Sequence, residues 1–483
     1  MSGRGIQAML GNLPFLGGRR IATVHDDCYA DWLTSAYSGT GDTDYVGYFL
    51  LRAAELSAES AGLGLIATNA IAEGDNRRTV VCPMLEKHAL EIYRAQTGVP
   101  WPGNATVLVA LLQFARGSVR SHVAPRVLNG RAVPQISSRL RGTAEWPDPL
   151  PIPANKGLAL VGCFLRGDGF VLEVDEARVF LRDHPEESQV VRPFLVGADL
   201  NSTPDLRARR WVVDFADRSL DQAKCFPAAL RIVEERVKPG RDRLKITGAD
   251  ADHRKHWWRF ANVRKELRER AAGLPRMLVA ARVSKHTMLG FVPPVWVPSE
   301  QVVVFAMPTW SAFAALQSRV HGAWVRVHAT HMGEGIRYSA SECFETFPFP
   351  TRDPGMLQPA LEIAGQRAYE ERAALMTRTG CGMTAVHNDL TDPECTDPEV
   401  LRLRAVYEAL DAAVVEAYGW PGVPVPPYCP TTDLEHIAVQ AFEDTVVDRL
   451  FALNATSQPL RAATAKPSSR KRRKSAHPED TDA

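Results

Sequence analysis

The hydrophobic pattern divides the chain into an alternating first part and a helical last part. An apolar run from Ile6 to Leu10 reads as a strand, and the turn formers Gly17 and Gly18 close the segment after it. Tyr29 to Tyr37 and Tyr45 to Ala58 read as helices. In the second, Val46, Phe49, Leu50, Ala53, Ala54 and Leu56 follow the helical period. Gly62 to Asn69 is a short unbroken apolar run ending in polar residues, which predicts a buried parallel strand. Asn76 to Glu86 reads as a helix, and Ala89 to Ala95 and Ala105 to Phe114 as strands. This order predicts one half of a doubly wound α/β sheet that finishes in an antiparallel pair. Prolines 125, 134, 147, 149, 151 and 153 then predict loops and short strands, with Lys156 to Leu165 strand-like. Leu357 to Thr377, Pro398 to Tyr418 and His436 to Asn454 read as helices, with a proline-rich loop from Pro421 to Pro430. From Ser457 onward the composition is that of disordered chain.

Length and composition change this picture little. A chain of 483 residues holds two or three domains, and 45% hydrophobic with 23% charged residues describes an ordinary soluble protein. Eight scattered cysteines form no C-x-x-C pair, which argues against zinc and redox motifs and fits free thiols in a reducing cytoplasm. No signal peptide is expected, and no apolar run is long enough to span a membrane.

Charge changes it more. The net charge is only +1, yet residues 200–290 hold 21 Lys plus Arg against 11 Asp plus Glu. The clusters are Arg207-Ala208-Arg209-Arg210, Arg241-Asp242-Arg243 and the run from His253 to Arg259, which includes Trp257 and Trp258. Basic side chains interleaved with aromatics suit a phosphate backbone. Arg264 to Arg270 reads instead as an ordinary surface helix, because Glu266 and Glu269 alternate with the basic residues. The run Arg470 to Lys474 either attracts phosphates without sequence preference or stays solvated.

The candidate chemistry lies in Gly11-Asn12-Leu13-Pro14-Phe15, at the carboxyl end of the first strand, where open α/β sheets bind ligands. Asn12 offers an amide oxygen, the carbonyl of Leu13 a second acceptor, and Phe15 a flat apolar face. Two acceptors beside a π-face suit an exocyclic amine on a planar base that has been flipped out of a duplex. Asn-x-Pro-aromatic is also a common turn between a strand and a helix, so the four residues alone leave both readings open.

Asn12-Leu13-Pro14-Phe15 resembles the Asn-Pro-Pro-Phe/Tyr motif of DNA amino-methyltransferases, with Leu13 in place of the first proline. Leu16 to Ile21 continues as in the large restriction–modification methyltransferases of the MmeI-like (type IIL) group. Gly64 to Ile71 is similar to the next strand of that family, and Asn104 to Ala110 to its late hairpin. Arg192 to Asn201, Trp211 to Phe215, Glu235 to Asp242, Pro275 to His286 and Arg337 to Pro350 resemble, in family order, its target-recognition domain.

The resemblance implies the second half of a Rossmann-like methyltransferase sheet, an α/β target-recognition domain and a helical C-terminal region. The expected boundaries are 1–117 for the partial catalytic domain, 118–190 for a linker with short strands and 191–353 for the recognition domain. A helical region at 354–456 and a basic tail at 457–483 follow. The helices either clamp DNA or serve as scaffold. The implied activity is S-adenosylmethionine-dependent transfer to adenine N6 in a specific duplex sequence, in restriction–modification or phage defence. Cytosine N4 carries the same kind of amine. Asn12, Leu13, Pro14 and Phe15 would form the target-base site. Arg207, Arg209, Arg210, Lys238, Arg241, Arg282, Ser284, Lys285, His286 and Arg337 would contact DNA, at base edges or at phosphates. His331 and Arg337 flank a Gly333-Glu334-Gly335 loop, where a structural role is as open as a DNA contact.

In that family the Gly-rich cofactor turn and its acidic partner precede the catalytic turn. None of the eleven residues before Asn12 supplies them. The expectation is therefore a second polypeptide carrying the cofactor half and covering an otherwise bare first strand. The alternative is a non-catalytic DNA-specificity subunit, or a remnant of such a methyltransferase. No nuclease-like Pro-Asp…Glu-x-Lys signature is present.

Overall fold

In the computed structural model, residues 5–101, 108–122, 125–332 and 335–457 are described. Asn104 to Val107, the Gly333-Glu334 loop tip and the basic run 470–474 lie outside them.

The first sheet has six strands in the order β1-β2-β4-β3-β5-β6. These are β1 (Ile6–Asn12), β2 (Ser57–Thr68), β3 (Glu91–Pro100), β4 (Leu108–Arg116), β5 (Arg126–Leu128) and β6 (Arg131–Val133). β1 and β2 run parallel, with Asn12 opposite Ile66. β3 and β4 form the expected antiparallel pair. The helices α1 (Asp27–Ala36) and α2 (Tyr45–Leu56) follow β1. α2 buries Val46, Leu50, Leu51, Ala53 and Ala54 against Leu63, Leu65, Leu112 and Phe114 of the sheet. Asp26 caps α1 by accepting the Tyr29 N–H at 2.6 Å.

Two details depart from the sequence reading. β2 starts at Ser57, five residues early, and it is buried on one face only. Ala61, Leu63, Leu65 and Ala67 point into the core, while Gly62, Gly64, Ile66 and Thr68 stay half-buried. Parallel strands are normally covered on both faces. β1 lies at the sheet edge, with Leu10 90% and Ile6 44% exposed, as its uncovered position requires.

The stretch 118–190 lends strands to both neighbours: β5 and β6 extend the first sheet, whereas β7 (Ala159–Val161) and β8 (Val171–Glu173) join the next domain. There, β9 (Val191–Leu195) and β10 (Arg210–Val213) pair with each other, β10 also pairs with β8, and β14 (Val297–Pro298) adds to β9 in parallel. β11 (Met277–Ala281) lies between β13 (Leu289–Val292) and β15 (Val302–Phe305), and β15 pairs with β7. β12 (Val283–Ser284) joins β17 (Gly335–Arg337), which pairs with β16 (Thr330–Met332). All five residues of β11 and all four of β15 are buried, as their uninterrupted apolar sequences dictate.

The C-terminal helices form one body with this domain. α3 (Trp310–Gln317) and α4 (Arg319–His328) pack against α5 (Pro359–Thr379), α6 (Met383–Thr391), α7 (Pro398–Ala417) and α8 (Asp433–Thr456) around Phe313, Trp324, Tyr407, Leu410 and Phe451. Buried Arg372 of α5 donates to Gln317 (3.1 Å) and the Tyr407 hydroxyl (3.3 Å). Buried Asp411 of α7 accepts from Arg319 Nε at 2.5 Å, and burial raises its carboxyl above the usual range. α8 also holds the Pro-rich linker. Trp146 donates to Asp448 at 2.9 Å and stacks on Phe451, and the Leu150 N–H donates to Asn454 at 3.0 Å. No described helix is long and apolar enough to cross a membrane.

Candidate target-base and DNA-recognition site

β1 delivers Asn12 to the carboxyl rim of the sheet, where it is exposed. Leu13 and Phe15 pack against the sheet core, so the backbone between them is held by its side chains rather than by a second proline ring. Phe15 meets Trp101 edge to face, with centroids 6.1 Å apart and planes at 84°. The sequence reading missed Trp101; its signal was an isolated tryptophan between Pro100 and Pro102 at the same end of the sheet.

The loop after Phe15 is anchored from several sides. The Tyr45 N–H donates to the Leu16 carbonyl at 2.9 Å, and the Gly18 N–H to Asp44 at 3.3 Å. The Asp44 N–H in turn donates to Asn76 at 2.7 Å. Burial holds the Asp44 carboxyl above its usual range, opposed by the bonds involving Asn76 and Gly18. Gly18 is required sterically: a Cβ there would lie 2.5 Å from the Thr43 carbonyl oxygen and 2.9 Å from that of Gly41. Asn69, at the end of β2, accepts the Gly98 N–H at 3.1 Å and ties the rim to β3.

Near the rim, Asn69 and the segment after Phe15 line a cleft between the two domains. One lobe, of about 600 Å³, runs from Asn69 and Thr97 past Arg131 to Arg326 and Glu443. The other, of about 460 Å³, sets Arg19, Asp44 and Arg78 opposite Thr330 and Arg337. The walls are mixed in charge. Arg19 is paired with Asp42 at 2.6 Å and Arg78 with Asp75 at 2.7 Å, which leaves exposed Arg337 as a cation of the far wall.

The structure brings some of the candidate DNA residues together. β12 pairs with β17 so that Val283 faces Arg337 and Ser284 faces Ile336, which places Arg282 beside Arg337. Burial, then the positive charges of Arg337 and Arg264, lowers the Arg282 pKa. Lys285 is exposed on the same segment. Ser284 donates to Asn201 at 3.2 Å, and a His286 ring nitrogen lies 2.9 Å from Asn388 Oδ1. These two side chains brace the segment against the helix Gly197–Ser202 and against α6. Arg207 and Arg209 lie at the approach to β10, with Arg207 exposed and 3.3 Å from Asp205, and Arg210 is half-buried in the strand.

Lys238 and Arg241 sit elsewhere, in the helical lobe around Phe170, Trp257 and Trp258. Lys238 pairs with Glu234 at 2.7 Å and lies over Trp257. Arg241 is a correction to the sequence reading. It is 3% exposed and donates to the carbonyls of Leu165 (2.9 Å) and Arg259 (3.4 Å), so it holds the lobe together and is closed to a duplex.

Residues 6–123 match the DNA-methyltransferase domain of MmeI, and residues 161–351 its target recognition domain. The chain belongs to the MmeI-like family. It is similar to the curated "DNA methyltransferase A" of Bacillus subtilis (strain 168), at 21% identity over 437 residues, 85% of this chain and 45% of that protein. Its fold matches the type IIL restriction–modification enzyme MmeI, solved in complex with DNA, with a TM-score of 0.64 at 19% identity. That match covers 93% of this chain and 57% of MmeI. The chain thus spans about half the length of the relatives it matches. The two MmeI-type domains flank the cleft described above, with Arg19, Asp44 and Arg78 on one side and Thr330 and Arg337 on the other.

Proposed function

We propose that the chain is the base-binding and DNA-recognition part of an S-adenosylmethionine-dependent DNA methyltransferase. Its target is adenine N6 in a specific duplex sequence, within restriction–modification or phage defence. The observation that carries the reading is the placement of Asn12, Leu13 and the Phe15–Trp101 pair at one rim, with the segment after Phe15 supplying Arg19 and Asp44 to a cleft whose other wall bears Arg337. The Asn12 amide oxygen and the Leu13 carbonyl accept the two N–H bonds of the target amine. That leaves the nitrogen lone pair directed out of the base plane. Phe15 stacks on the flipped ring and Trp101 limits its lateral movement. Arg337 on the far wall, with Arg282 and Lys285 of the segment around its paired strand β12, touches the duplex.

The described residues do not fit the cofactor, since the strand-to-helix turns at Gly117 and Gly197 each hold a single glycine and neither is glycine-rich. The free edge of β1 is where a cofactor-binding half extends the sheet, on a second polypeptide or on further sequence of the same one. The test is to supply that half with S-adenosylmethionine and a DNA library, and to sequence the product for modified bases. N6-methyladenine within one motif supports the reading; N4-methylcytosine, or no modified base, overturns the adenine assignment.

A second reading is a DNA-specificity subunit without catalysis, favoured by Leu13, whose side chain is committed to the core. Motif-specific DNA binding with no methyl transfer under the same conditions would establish it.

A further inference from the structure

A second cavity lies inside the recognition domain and shares no lining residue with the interdomain cleft. It holds about 320 Å³ in the seam where β9 and β14 meet the start of β11 and the helix Lys265–Ala271. Leu267, Met277, Pro294 and Trp296 give it apolar walls, and Arg192 and Arg268 are its charged lining residues. No aspartate or glutamate among the described residues lines it.

The two guanidinium groups share one carboxylate. Buried Asp214 takes Arg268 Nη1 on Oδ2 at 2.7 Å and Arg268 Nη2 on Oδ1 at 3.0 Å. Its Oδ1 also accepts the Ala216 N–H at 3.0 Å. Arg192 is left 3.6 Å from Oδ2, beyond hydrogen-bond distance, and its guanidinium makes no hydrogen bond among the described residues. Cys163, which also lines the cavity, adds no negative charge, because burial pushes its thiol up to about 11. Two cations thus share a single anion in a largely apolar site, and one countercharge is missing. The Arg192 side chain is 28% exposed, so water hydrates it only in part. Burial lowers its pKa, Asp214 opposes this, and Arg268 lowers it further.

The chemistry of the missing partner follows from the walls. A guanidinium presents parallel N–H donors that match the two oxygens of a carboxylate. Apolar surfaces with one polar anchor are the makeup of small-molecule sites, and this volume lies at the small end of their range, which suits a ligand of one or two rings. A duplex backbone fits poorly, because Leu267, Met277 and Pro294 cannot solvate a run of phosphates.

We propose that this cavity binds a small aromatic carboxylate, its carboxylate paired with Arg192 and its rings against Trp296 and Met277. Bound there, the ligand bridges the sheet that contains β9 and β14 to the sheet that contains β11.

The test titrates the full chain calorimetrically with naphthalene carboxylate and with the neutral naphthalene carboxamide, which has the same rings. The acid is expected to bind roughly ten- to hundredfold more tightly than the amide. It is also expected to raise Tm and to protect Trp296 from oxidative footprinting. R192M, which keeps much of the side chain's bulk, is expected to bind acid and amide alike. The acid–amide comparison on the natural chain stands even where that variant fails to fold. Equal affinities on the natural chain overturn the proposal, as does an absence of binding by the acid at millimolar concentration. A preference for the acid that survives in R192M overturns it too. Protection of Trp296 by duplex DNA and not by the acid also overturns it, and gives Arg192 to the phosphate backbone.

Discussion

Phe15 and Trp101 meet edge to face across the rim of the first sheet, 6.1 Å between ring centroids. In the proposed reading, a base entering beside Asn12 stacks on one ring and abuts the other. Replacing Phe15 by Ala removes the stacking platform and is expected to weaken binding of duplex DNA carrying 2-aminopurine at the target position by roughly ten- to hundredfold. W101A removes only the edge contact, and the expected loss is roughly two- to tenfold. Fluorescence titration at fixed salt measures both, and equal losses would contradict the assigned geometry.

The loop that follows is rigid for a steric reason. G18A places a methyl group against the carbonyl oxygens of Thr43 and Gly41 and breaks the approach that lets the Gly18 N–H reach Asp44. The expected cost is about 1–3 kcal/mol of stability. It is measured by urea denaturation, with G41A, which has nothing within 4 Å of its added Cβ, as the control.

Arg241 and Arg337 separate structure from recognition. R241A leaves the Leu165 and Arg259 carbonyls without their buried donor and is expected to cost on the order of 3 kcal/mol of stability. R337A is expected to leave stability unchanged and to weaken DNA binding. The salt dependence of that binding decides its partner. A slope reduced by about one indicates a phosphate, whereas an unchanged slope with relaxed sequence preference indicates a base edge.

Acid stability follows from histidines that burial keeps neutral, His328 among them. Burial lowers His321 to about 4 and His387 to about 3, so both are neutral in the fold. His321 lies 2.7 Å from the Leu316 carbonyl through Nδ1 and 3.2 Å from the Tyr338 hydroxyl through Nε2. Below pH ~6.5 the unfolded chain binds protons that the fold excludes, so stability is full above that pH and falls as the pH drops toward 4. The share of His321 is on the order of 3 kcal/mol. A falling Tm between pH 6.5 and 4, made shallower by H321Q, is the expected result.

Much of this arrangement was legible in the residues. A short apolar run ending at Gly11-Asn12 and a turn closed by two glycines place β1 and its rim, and the periodic apolar face of 45–56 places α2. What escaped the sequence depends on distant neighbours. Ser57 to Ala61 carry little strand preference and join β2 through distant neighbours, Ser57 opposite Ile6 of β1 across a register shift and Ala61 opposite Arg116 at the end of β4. Arg241 belongs to a basic cluster in the sequence, yet three-dimensional packing turns it toward carbonyls contributed by residues 165 and 259. The pairing that brings Arg282 beside Arg337 joins segments more than fifty residues apart, which no local pattern reveals.

The central claim is that Asn12 holds the target amine. The measurement that tests it most directly is single-turnover transfer of labelled methyl to duplex DNA, with the cofactor half supplied, for the natural chain and for N12A. The account predicts a loss on the order of a hundredfold or more in N12A, from a misplaced amine, with DNA affinity unchanged. Transfer by N12A at the natural rate would contradict it.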